Sequence, residues 1–113
     1  MAIPVKLSTT IKNIDNIPKK ENVQIIREFH QFMKNSDAGD KHINNNLKIV
    51  ISFAKFSNQN LSFGEMNRKH IIEFLDSKIN TAEQDPDRKW ITTWNVYLNH
   101  LKYFFWRFHN RYI

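Results

Sequence analysis

Residues 87–110 read DRKWITTWNVYLNHLKYFFWRFHN, and the fold is decided in this stretch. Ile91, Trp94, Leu98, Leu101, Phe105 and Phe108 recur in steps of three and four. That spacing lines one side of an α-helix, whereas a strand would alternate every second residue. Trp90, Tyr97 and Phe104 widen the stripe. Asp85-Pro86-Asp87 stands just ahead of it, with proline where a helix tolerates it best. The segment predicts a long helix over about residues 87–110 that turns large aromatic side chains toward a core.

Three earlier segments carry the same period. Ile25, Ile26, Phe29, Phe32 and Met33 predict a helix over residues 20–35, ended by the polar run Ser36-Asp37-Ala38-Gly39-Asp40. Ile43, Leu47, Val50, Ile51 and Ala54 predict a second over residues 41–56, with Asp40 as its N-cap. Ile71, Ile72, Phe74, Leu75 and Ile79 predict a shorter third over residues 68–79, capped by Asn67. Leu61 and Phe63, just before it, are expected to fold over the core. Residues 1–19 show no clear helical period and are expected to form a flexible or extended arm. The fold class is therefore all-α: a small four-helix bundle over residues 20–113, preceded by an N-terminal arm over 1–19.

Composition agrees. The chain has 113 residues, room for one domain, and only two Gly and three Pro, too few for many tight turns. Nine Phe, three Trp and three Tyr supply a core despite the small size. There is no cysteine, which excludes disulfide scaffolds and thiolate metal sites and suits a reducing cytoplasm. No apolar run approaches the roughly 20 residues that span a bilayer, and the start lacks a signal-peptide layout. A soluble cytoplasmic protein with no membrane partner is expected.

Charge points to a partner. The net charge is +6, and it is unevenly spread. Residues 61–87 hold six acids against three bases, whereas 88–113 hold Arg88, Lys89, Lys102, Arg107 and Arg111 and no acid. A polyanion suits such a one-sided field.

Catalytic patterns do not appear. There is no Gly-rich phosphate loop and no Ser-centred nucleophile elbow. His30, His42, His70, His100 and His109 form no i, i+4 pair, so neither a metal site nor a cofactor is expected. Tyr97, Tyr103 and Tyr112 lie among aromatics and read as packing rather than as nucleophiles.

The polar faces say more. At about 100° per residue, Lys41, Asn45, Lys48, Ser52 and Lys55 fall opposite the apolar stripe of the 41–56 helix, with no acid among them. Lysines there can neutralise phosphates, and an asparagine can read an adenine edge. On the last helix Lys89, Thr92, Val96, Asn99, Tyr103 and Arg107 lie away from the core stripe, flanked by Arg88, Thr93, His100 and Lys102. The candidate DNA contacts are Lys41, Asn45, Lys48, Ser52, Lys55, Arg88, Lys89, Thr92, Thr93, Asn99 and Arg107. An ordinary solvated face is the competing reading of either strip.

Three segments together resemble a known family. Residues 39–56, GDKHINNNLKIVISFAKF, resemble the second helix of the N-terminal core-binding domain of tyrosine recombinases, the phage-integrase type. Residues 61–75, LSFGEMNRKHIIEFL, are similar to the family's next element, an apolar loop residue followed by a helix ending in Phe-Leu. Residues 91–106, ITTWNVYLNHLKYFFW, are similar to its last helix. The resemblance implies a SAM-like four-helix bundle that forms half of a clamp on double-stranded DNA, with those second and fourth helices facing the duplex. Strand exchange would then belong to a separate C-terminal catalytic domain of the same parent chain, acting with other recombinase protomers. Arg111-Tyr112-Ile113 would fall where the linker to that domain begins. This fragment would not itself be an enzyme. Two alternatives stay open, a helical protein-interaction module and a stand-alone DNA-binding regulator.

Overall fold

The computed structural model describes residues 6–56, 61–78 and 90–110. Its elements are α1 (Leu7–Asn13), a 3-10 turn (Ile14–Asn16), α2 (Lys20–Asn35), α3 (Asp40–Phe56), a second 3-10 turn (Phe63–Glu65), α4 (Arg68–Asp76) and α5 (Trp90–His109). No strand occurs among the described residues. The all-α bundle expected from apolar spacing is the observed architecture.

The middle of the bundle is α3, which packs against α1, α2, α4 and α5. Ile43, Asn46, Leu47, Ile49, Val50, Ile51, Phe53 and Ala54 are all buried along it. Its exposed side carries Lys41, His42, Asn45, Lys48 and Lys55, with Asp40 and Phe56 exposed at its two ends. The five residues predicted for its apolar stripe are all buried, but Asp40 is the first helical residue rather than the cap. The chain reaches α3 through a Schellman turn at the end of α2. The Ala38 N–H donates to the Met33 carbonyl at 3.1 Å and the Asp37 N–H to the Lys34 carbonyl at 3.1 Å. Asp37 takes the left-handed conformation there (φ 60°), which Asp tolerates better than most residues.

The leader departs from expectation. Residues 7–16 are helical, and Ile14 and Ile17 are buried in the same core as α2 and α3. Leu7 and Ile11 pack against that core. Thr10, also buried, donates to Asn44 Oδ1 on α3 at 2.5 Å. The flexible or extended arm is thus corrected for these residues to a fifth helix laid along α3. Burying apolar side chains offsets the cost of ordering a segment too short to be helical alone.

Helix α5 is turned from its predicted phase. Among its described side chains Leu101, Phe104 and Phe108 are the buried ones, whereas Trp94, Leu98 and Phe105 are half-buried and Ile91 is 44% exposed. The core line therefore runs through Phe104, not Phe105. Phe63 fixes this, its ring centroid lying 4.7 Å from that of Phe104. Asn22, a buried polar residue of α2, holds Phe63 in place. Its Oδ1 accepts from the Phe63 N–H at 2.9 Å, and its Nδ2 donates to the Leu61 carbonyl at 2.8 Å. Phe63 covers the core as predicted, while Leu61 is half-buried. Helix α4 begins as predicted, with Asn67 accepting from the Lys69 N–H at 2.9 Å. Ile79 and residues 80–89 lie outside the described residues.

Candidate nucleic-acid interface

Packing α5 against α3 leaves an open groove between them. Asn45, Lys48 and Ile49 line it from α3, and Val96, Tyr97 and His100 from α5. Two more grooves continue along α3. One lies between Lys6 and Leu7 at the start of the leader and Asp40, Lys41, Asn44, Asn45 and Lys48. The other lies between Thr10 and Asn13 of α1 and Lys48, Ile51, Ser52 and Lys55. Lys48 borders all three grooves. These are open surfaces rather than enclosed cavities, so they suit an extended ligand better than a small molecule. Among the described residues that line them, Asp40 is the lone acid, and Lys6, Lys41, Lys48 and Lys55 are cationic.

The predicted contacts of α3 therefore stay together. Lys41, Asn45, Lys48 and Lys55 are exposed and Ser52 is half-buried, in one line beside the groove. On α5 they divide. Asn99 is exposed and lines a shallow groove with His42, Asn46, His100 and Tyr103, one ring away from Lys48's groove. Thr92 is exposed and Thr93 half-buried, and neither lines the grooves described above. Arg107 turns aside, its guanidinium carbon 4.1 Å from the ring centroid of Phe32 on α2. Tyr103 is likewise packed, edge-on to Phe29 at 5.5 Å, and burial pushes its hydroxyl above the usual phenol range. Arg88 and Lys89 lie outside the described residues. The side of α5 turned farthest from the core carries Asn95, Asn99, Lys102 and Trp106, with Trp106 57% exposed.

Sequence reasoning missed Lys6, Asn13 and Asn46 at this surface. Lys6 and Asn13 join it because α1 lies along α3. The signal was present, since Leu7, Ile11 and Ile14 are spaced four and three apart. Asn46 was missed, and His100 was named only as a flank of the outer face of α5, because their link spans 54 positions, with His100 Nδ1 2.6 Å from Asn46 Oδ1. Nothing in local spacing announces such a contact.

Among the described residues, no group of three or more His, Asp or Glu side chains gathers where a metal ion could be held. No described helix is long and apolar enough to cross a membrane. Comparison with family models, with curated proteins and with solved structures gives no match to this chain.

Proposed function

We propose that this chain grips double-stranded DNA through the seam between α3 and α5, as the non-catalytic, core-binding part of a strand-exchange enzyme. The observation that carries the DNA part is the convergence on Lys48. Three grooves meet at that side chain, four lysines line them, and amide side chains stand between the charges. Phosphates would meet the lysines, and Asn45 and Asn99 would be the side chains placed to reach base edges. The placement within a tyrosine recombinase rests on the sequence resemblance of residues 39–56, 61–75 and 91–106.

A titration of labelled duplex across a salt series tests the proposal. Non-specific affinity of about 10⁻⁴–10⁻⁶ M is expected at physiological salt. Replacing Lys48 with Gln should flatten the log–log salt slope by about 0.9 for one lost phosphate contact. Absence of binding at low salt would overturn the reading. It would favour protein docking instead, for which exposed Trp106 is the specific observation.

A further inference from the structure

Asn46 is the one fully buried side-chain amide of α3, and it connects two imidazoles. Its Nδ2 lies 3.0 Å from the His42 carbonyl oxygen and 3.1 Å from His42 Nε2. A carbonyl can only accept, so this contact fixes which end of the amide is the donor. The other end, Oδ1, must therefore accept from His100 Nδ1 at 2.6 Å. The two histidines are thereby made unequal. His42 Nε2 is taken up in accepting from the Asn46 amide. His100 keeps its proton on Nδ1 in either charge state, so gaining a charge at Nε2 breaks nothing. That Nε2 has no hydrogen-bond partner among the described residues, and it is not a sealed buried atom. The ring borders both the groove of Lys48 and the groove of Asn99.

We propose that His100, aimed by Asn46, is a phosphodiester-binding residue of the α3–α5 seam that takes up a proton as the phosphate arrives. The proposal rests on the DNA reading above and adds a regulated contact to it. A phosphate oxygen at Nε2 would accept a charge-assisted hydrogen bond, and its negative charge would favour the imidazolium. The other titratable or charged groups lining His100's two grooves are His42 and Lys48 from α3 and Tyr97 and Tyr103 from its own helix. No acid stands among these residues to hold the proton in the free protein. Burial, and then the neighbouring His42, keep the free His100 imidazole below its ordinary range. The signs are opposite in the two states. Without DNA, the unfolded chain takes this proton more readily, so acidification through the imidazole range weakens the fold. With DNA, the bound state takes it more readily, so acidification tightens binding.

The test is to follow the imidazole resonances of the whole chain by NMR between pH 5 and 8, with and without a short duplex. Duplex affinity is measured in parallel at fixed ionic strength. His100 should titrate at higher pH in the complex, while His30 and His70, which line none of these grooves, should not move. Affinity should rise about tenfold from pH 7.5 to 5.5, within the limit of one proton per complex. In His100→Gln, which cannot titrate, most of that rise should vanish. Duplex binding with an unmoved His100 titration would overturn this inference and leave the DNA reading standing. Failure to bind duplex at any pH in low salt would overturn both.

Discussion

Helices α3 and α5 are both long and amphipathic, yet they enter the core in different ways. Helix α3 buries eight residues and leaves one narrow polar line, because α1, α2, α4 and α5 surround it. Over its described side chains α5 buries only Leu101, Phe104 and Phe108, and spreads a wide collar of half-buried aromatics around them. Small and branched apolar residues on α3 define the phase of the helix sharply. Aromatic residues on α5 occur on most sides, so they permit several phases, and long-range contacts to Phe63 and Phe29 select one. An apolar stripe predicts orientation well when it is only as wide as the surface it must cover.

The largest effects should separate centre from collar. Phe53→Ala on α3 and Phe104→Ala on α5 each empty a fully buried site and should cost about 3–5 kcal/mol in denaturant unfolding. That is a large part of the stability of a domain this size. Phe105→Ala and Trp94→Ala, from half-buried positions, should cost under about 2 kcal/mol by lost burial. Equal losses at Phe104 and Phe105 would contradict the rotated phase of α5.

Ile14→Ala probes the fifth helix with the next largest effect. The side chain is fully buried beside α2 and α3, so a loss of about 2–5 kcal/mol is expected. A flexible leader would show none. The smallest effects should fall on the outer side of α5. Arg107→Ala removes a cation from the Phe32 ring and should cost about 0.5–1 kcal/mol. Trp106→Ala should change stability by no more than about 0.5 kcal/mol, because its ring is mainly in solvent. A large loss there would mean that α5 is turned further still.

These differences show which parts of the structure are legible in the sequence. The bounds of α2, Lys20–Asn35, coincide with those predicted, and so does the Asn67 cap of α4. Both rest on local chemistry, a period or a side chain reaching a nearby N–H. The polar line of α3 is legible for the same reason. Helix α1 is legible only in the spacing of Leu7, Ile11 and Ile14, because seven residues with paired threonines and a β-branched isoleucine have weak intrinsic helicity and form only against α3. The destinations of Tyr103 and Arg107 are not legible. On a helical wheel they belong to the outer face of α5, and only the position of α2 turns them inward. The Asn22 clamp on residues 61–63 and the Asn46 link between two histidines depend on contacts across 39 to 54 positions, where spacing carries no information.

The central claim is that α3 and α5 present one DNA-binding seam, and amide chemical-shift mapping with a short duplex tests it most directly. The account predicts the largest shifts at Asn45, Lys48, Asn99 and His100, with smaller ones at Lys6 and Asn13 where α1 borders the same grooves. The residues of α4 should stay silent. Shifts centred on Trp106 and Lys102, or on α4, with Lys48 and His100 unmoved, would contradict it.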